Sequence, residues 1–184
     1  MLKPVTIALS GGGAHAAAHV GVLRALEQAG VPVVVLATDV DTGEPVVFRE
    51  GDLRDAVRAS CSFPGVFPPM VLGGRRLYDG GISEVIPVSL AREMAGESGI
   101  VLAVDCNSGT RWPSANSFVA VALRAGLTLL RGRTRSELAG ADFVIAPAMG
   151  DSGWMRPAKI PEFYRAGEEA MIQALPELRR LMAA

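Results

Sequence analysis

The feature that most constrains this chain is an apolar run that ends in glycine. Val5-Thr6-Ile7-Ala8-Leu9 leads directly into Ser10-Gly11-Gly12-Gly13. An unbroken aliphatic and β-branched run fits a strand, and glycine follows where the backbone must take a positive φ or approach another group closely. Residues 14–29 then favour a helix, with Val20, Leu23 and Leu26 on one stripe, Gly30 at the C-cap position and Pro32 just beyond. Strand, tight turn and helix together make a βα unit.

The handover recurs along the chain. Residues 33–37 form a continuous apolar run of the kind that is buried on both faces in parallel sheets. Asp41-Thr42-Gly43-Glu44 reads as a turn into an extended piece at 45–48, and a short helix at 53–60 has Asp52 as its N-cap. The proline-rich stretch 62–69 is a loop leading to a hairpin around Gly73-Gly74, after which Asp79-Gly80-Gly81 again places glycine at a strand end. Helices are expected at 87–95, 118–130 and 161–182, the last containing Pro176, with buried strands at 100–105 and 143–146. This alternation predicts an α/β fold of three layers, a mostly parallel central sheet with helices on both faces. No linker or internal repeat interrupts the 184 residues, so one domain covering 1–184 is the expectation.

Composition removes several functions. Hydrophobic residues make up 49% and charged residues 20% of the chain, which excludes disorder. Lysine and arginine total 18 against 19 acidic residues, a net charge of −1, so no nucleic-acid partner is expected. Cys61 and Cys106 lie in apolar settings without zinc-site or disulfide spacing, and read as reduced core thiols. The N-terminus lacks a signal-peptide pattern, so a cytoplasmic location is expected. The longest apolar stretch, 118–130, is interrupted by Arg124 and falls short of the roughly 20 residues needed to span a bilayer.

Three chemistries compete for the polar residues. Gly11-Gly12-Gly13-Ala14-His15-Ala16 fits G-x-G-x-x-A, and Asp39 ends the next strand, as a dinucleotide site requires. A glycine-rich turn is equally how any strand passes into a helix. Acyl hydrolysis needs a nucleophile on a sharp turn, a base and oxyanion donors. No serine sits in a complete G-x-S-x-G; Ala8-Leu9-Ser10-Gly11-Gly12 and Gly150-Asp151-Ser152-Gly153-Trp154 are near misses, more ordinarily loop serines. His15 and His19 share a helix face at i, i+4 but lack the glutamate of H-E-x-x-H. They read as polar residues facing solvent or a cleft, and neither a metal nor a cofactor is expected.

Taken in order, the motifs resemble the patatin-like phospholipases. The resemblance rests on residues 8–14 followed by His19-Val20-Gly21-Val22-Leu23-Arg24-Ala25-Leu26, and on Ala37-Thr38-Asp39 with Thr42-Gly43-Glu44. It continues through the run from Ala59 to Pro69, Asp79-Gly80-Gly81, Ala141-Asp142-Phe143-Val144-Ile145 and Gly167-Glu168-Glu169-Ala170. It implies a shortened patatin-like fold and a lipid acyl hydrolase, of esterase or phospholipase type, that uses a serine–aspartate dyad. Gly11, Gly12 and Gly13 match the oxyanion loop, and Asp79 matches the dyad aspartate. Backbone donors at a helix start suit a developing oxyanion.

The chain departs from the family where the nucleophile belongs. The segment carrying the G-x-S-x-G elbow is expected between Gly30 and Pro32, and here Gly30-Val31 passes directly to Pro32-Val33. His15 and Ala16 also stand where the family usually has arginine and glycine. Ser10 and Ser62 are candidate substitutes, with Cys61 a more distant third; a bare carboxylate could also activate water. Weak or absent ester hydrolysis is therefore the expectation, with a non-catalytic acyl-ligand-binding or assembly protein as the alternative. Arg124, Arg131, Arg133 and Arg135 on and after an apolar helix fit a solvated helix end, or peripheral contact with a lipid surface. Loss of a βα unit should leave apolar faces that a homodimer would cover.

Overall fold

A computed structural model of the chain describes residues 3–11, 13–25, 34–65, 67–109, 116–150 and 156–184. In chain order its elements are β1 (Val5–Leu9), α1 (Ala17–Ala25), β2 (Val35–Asp39), β3 (Pro45–Phe48), α2 (Leu53–Ser60), β4 (Met70–Leu72) and β5 (Arg75–Asp79). There follow α3 (Val88–Ala95), β6 (Ile100–Val104), α4 (Phe118–Leu138), β7 (Phe143–Ile145) and α5 (Ile160–Ala183). The class is α/β, as the alternation predicts. The packing divides into two compact units, Met1–Gln28 with Ile86–Ala184, and Ala29–Val85.

The first unit holds a parallel sheet in the order β1-β6-β7, with Val5 opposite Ile100 and Leu102 opposite Phe143. Every residue of β6 is buried, which is why this strand reads as Ile-Val-Leu-Ala-Val with no polar side chain. Ile100, Leu102 and Val104 join the core that includes Ala18 and Val22 of α1 with Phe163, Met171 and Leu178 of α5. Val101 and Ala103 point to the opposite face and are also buried, and α3 packs against β1 and β6. Helices thus cover both faces of this sheet. Arg92 of α3 fastens the strand starts: its guanidinium donates to the Gly99 carbonyl at 2.9 Å and to Asp142 Oδ2 at 2.5 Å, which also accepts Val101 N–H at 2.7 Å.

The crossing of α1 and α5 is unusually close. A Cβ built on Gly167 would fall 1.9 Å from the Ala18 carbonyl oxygen, and one on Gly21 would fall 2.0 Å from that of Tyr164. The face of α1 that meets α5 therefore consists of Ala18, Gly21 and Val22, with the larger His15 and His19 alongside. This corrects the stripe expected from sequence: Val20 is 58% exposed, because backbone proximity favours small side chains over the more hydrophobic ones. Both histidines are buried and do not face solvent.

The second unit is a four-stranded sheet in the order β3-β2-β5-β4, and all its pairings are antiparallel. The run at 33–37 was expected in a parallel sheet. Its strand β2 instead turns back at once through residues 40–44, with Gly43 at φ 75°, and so short a return cannot make the crossover that parallel strands require. The hairpin around Gly73 and Gly74 forms with both residues at positive φ, 58° and 77°, as a two-residue turn of this hand demands. Asp52 caps α2 as expected, accepting Arg54 N–H at 2.8 Å. Cys61, read as a core thiol, is exposed at the end of this helix. Gly12, residues 26–33 with the Gly30–Pro32 junction, and Ser152 lie outside the described residues.

Replacing Gly167 by alanine would force the two helix backbones apart, and is expected to cost about 1–3 kcal/mol. Gly126 in α4, where an added Cβ would meet nothing within 4 Å, should gain about 0.5–1 kcal/mol on the same change from reduced chain entropy. Chemical denaturation of the two variants measures both signs.

Candidate functional site

Asp79 is the last residue of β5, followed by a short turn at Gly80–Ile82. Its Oδ1 accepts Gly81 N–H at 2.8 Å, its own N–H donates to the Ser62 carbonyl at 3.0 Å, and its carbonyl accepts the Thr38 hydroxyl at 2.9 Å. Thr38 Oγ1 also accepts Ser83 N–H at 3.2 Å, and Ser83 Oγ donates to the Gly80 carbonyl at 3.1 Å. Gly80 leaves no room for a side chain, since a Cβ there would lie 2.3 Å from the Leu36 carbonyl oxygen. The aspartate is held by β2, by Ser62 two residues after α2 and by its own turn.

Burial raises the Asp79 carboxyl above the usual carboxylate range, partly opposed by the Gly81 N–H. A carboxylate that is fixed and part-desolvated is a better proton acceptor than one in water. Desolvation, and then the Asp79 charge, push the neighbouring Cys61 thiol up, so it stays protonated and a poor nucleophile. Ser62 is buried, and its hydroxyl donates to the Arg58 carbonyl at 2.8 Å, one helical turn back. Asp39, the candidate ribose acid, accepts Asp41 N–H on Oδ1 at 2.9 Å and so serves its own turn. With β2 in an antiparallel sheet, the parallel βαβ unit that a dinucleotide fingerprint requires does not form from β1, α1 and β2.

In the first unit the glycine loop leaves the C-terminal end of β1. Gly13, at φ 54°, opens a turn of 3-10 helix at Gly13–Ala16 that runs into α1. Gly11 presents its carbonyl to Asn107 Nδ2 at 2.6 Å. Ser10 is 5% exposed; its Oγ accepts Cys106 N–H at 3.1 Å, and its carbonyl accepts the His19 Nε2–H at 2.7 Å. His19 Nδ1 lies 3.4 Å from Cys106 Sγ, placed to accept the thiol proton. Burial pushes His19 down to about 4 and Cys106 up to about 12, so imidazole and thiol are both neutral near pH 7. A neutral pair is a brace for the loop rather than a thiolate–imidazolium nucleophile.

Cys106, Asn107, Thr38 and Ser83 did not stand out in sequence as site residues, and His19 stood out only as half of an i, i+4 pair with His15. The signal for His19 was present, since positions 15, 18, 19 and 22 form one helical stripe. The others owe their positions to strand pairing. Among the described residues no group of His, Cys, Asp and Glu could hold a metal ion. The first unit also contains a cleft of about 430 Å³ floored by Met149 and Phe163, with Arg156, Lys159 and Glu162 at its rim.

The chain thus has a glycine loop after its first strand and, at the end of β5, a half-buried aspartate followed by two glycines. Residues 33–92 match the patatin-like phospholipase family. The chain is 37% identical over 91 residues to an uncharacterized NTE family protein of Mycobacterium tuberculosis, covering 49% of this chain and 24% of that protein. It is 37% identical over 70 residues to a second NTE family protein of that organism, covering 38% and 12%. It is 32% identical over 108 residues to patatin-like phospholipase domain-containing protein 7 of Mus musculus, covering 57% and 8%. These matches support assignment to the patatin-like phospholipases and bear out the resemblance read from the motifs. The chain spans less than a quarter of the length of these relatives.

The folded state holds His19 neutral with a pKa of about 4, whereas an unfolded histidine titrates near 6.5. Between these values the unfolded chain binds more protons, so this group's contribution to stability falls as pH drops from about 6.5 to about 4, by up to about 3 kcal/mol. Denaturation midpoints across that window, compared between the native chain and His19→Gln, should show a steeper acid loss in the native chain.

Proposed function

We propose that the chain is a patatin-like acyl-hydrolase domain that keeps the base and the oxyanion loop but lacks the family's serine nucleophile. The observation that carries this reading is Asp79: it lies in the family-matched segment, its carboxylate is fixed by Gly81 N–H, and its proton affinity is raised by burial. In this reading Asp79 accepts the proton of a hydroxyl or water that attacks an acyl ester, the part that the resemblance gives to the dyad aspartate. The hydroxyls of Ser10 and Ser62 are engaged in fastening backbone, which supports the view that neither takes over from the missing serine. Ester hydrolysis is then slow or absent, since loss of a nucleophile costs several orders of magnitude in rate.

A second reading, a binder of acyl ligands, is favoured by the cleft over Met149 and Phe163. Arg156 and Lys159 beside it suit the carboxylate of a fatty acid. Extraction and mass spectrometry of the purified protein test it: a stoichiometric fatty acid supports the binder, and an empty protein opposes it.

Hydrolysis of short p-nitrophenyl esters tests the enzyme reading. Any rate carried by Asp79 should rise with pH through a midpoint above the usual carboxylate value of about 4, because the base acts deprotonated. That rate should fall to background in Asp79→Asn and survive in Ser10→Ala and Ser62→Ala. Loss in either serine variant with folding intact would identify a substitute nucleophile and overturn the pseudoenzyme form of the proposal.

A further inference from the structure

The side chain that makes most of the bonds around Asp79 is not itself a proton acceptor for the chemistry. Thr38 lies on β2 opposite Tyr78 and is 2% exposed. Its one hydroxyl joins both ends of the turn that follows Asp79. It donates to the Asp79 carbonyl at 2.9 Å or to Ser83 Oγ at 3.0 Å, and it accepts Ser83 N–H at 3.2 Å, an N–H shared with the Gly80 carbonyl at 3.1 Å. Threonine suits this place because its β-branch fits a strand and restricts χ1, while its hydroxyl is donor and acceptor at once. β2 also fixes the middle of the turn, since the Leu36 carbonyl oxygen occupies the space that a side chain on Gly80 would need.

This clamp controls a single N–H. Gly81 follows Gly80, which is seated on Leu36, and stands two residues before Ser83, which is held by Thr38; its N–H donates to Asp79 Oδ1 at 2.8 Å. Among the described residues no hydrogen bond reaches Asp79 Oδ2. The turn therefore decides which carboxylate oxygen is engaged and which is left for a water or hydroxyl. An N–H aimed at a carboxylate favours the charged form, and the bond weakens steeply once its angle is lost. Without the Thr38 hydroxyl, the Asp79 carbonyl loses its donor and Ser83 N–H keeps only the Gly80 carbonyl.

We infer that Thr38 is the positioning residue of Asp79: its hydroxyl locks the turn from Asp79 to Ser83 so that Gly81 N–H stays on Oδ1 and Oδ2 stays open. The inference rests on the reading of Asp79 as a proton acceptor, but its test needs no turnover. Carboxyl 13C NMR of the full chain follows the Asp79 titration. Cys61, the titratable group beside Asp79 from the end of α2, is pushed up by burial and stays protonated throughout that range, while Leu36 and Ala37 of β2 carry no charge. Thr38→Val keeps the shape and loses the hydroxyl, so the Asp79 midpoint should rise by about half a pH unit or more as the Gly81 bond is lost. Thr38→Ser should restore the native midpoint. Ser83→Ala should also leave it unmoved, because Thr38 keeps its bonds to the Asp79 carbonyl and to the N–H of residue 83. In the native chain, where no variant has to fold, the Gly81 and Ser83 amides should exchange with solvent at least about tenfold more slowly than in the unfolded chain. A midpoint unmoved or lowered in Thr38→Val, no rescue by serine, an equal rise in Ser83→Ala, or unprotected Gly81 and Ser83 amides overturns the inference. The expected shifts without any ester hydrolysis would support the positioning role and oppose the hydrolase reading alone.

Discussion

Two helix backbones in the first unit meet with no side chain between them, and much of that unit follows from the contact. Gly21 and Gly167 bring α1 and α5 so close that the core under them is filled by the sheet's own Ile100, Leu102 and Val104 with Phe163 and Met171. Close packing of this kind tolerates neither added nor removed volume. It also fixes where α1 begins, and hence the position of the glycine loop that precedes it. His19, on the same helix, then reaches back to the Ser10 carbonyl, so the helix crossing and the loop are tied by one buried hydrogen bond.

Asp79 illustrates a different economy. Among the described residues, neutral groups satisfy its backbone and one carboxylate oxygen: Thr38, Ser62 and Gly81 supply the hydrogen bonds. A buried arginine would have lowered the pKa and weakened the base, whereas desolvation raises it. The same desolvation keeps Cys61 protonated beside it. The environment thus favours one proton acceptor and suppresses a competing thiolate.

What was legible in the sequence was local. The strand-to-glycine handovers, Asp52 as a helix cap, the Gly73-Gly74 hairpin and the boundaries of β3 and α2 depend on neighbouring residues, and sequence places them correctly. The direction of β2 was misread because a wholly apolar run serves equally in an antiparallel strand covered on both faces; only the short return at 40–44 distinguishes the two. The inward face of α1 was misread because hydrophobicity pointed to Val20 and Leu23, while the close crossing demanded small residues. Arginine-rich residues 131–135 extend α4 to Leu138, past the expected end, since arginine is a good helix former. Asp79 stands out in sequence by its D-G-G setting, whereas Thr38, Ser83 and Asn107 take their places only through pairing between distant strands or loops.

The first unit is discontinuous in sequence and the second is contiguous within it. Pairing Val5 with Ile100 therefore closes a long loop that contains the whole of the second unit. Loop-closure entropy grows only logarithmically, with each doubling of length costing about 0.6 kcal/mol. Lengthening or shortening the chain between α1 and β2 by an entire strand and helix would barely change the cost of assembling the parallel sheet. Closure entropy therefore sets almost no limit on how much chain that junction can hold.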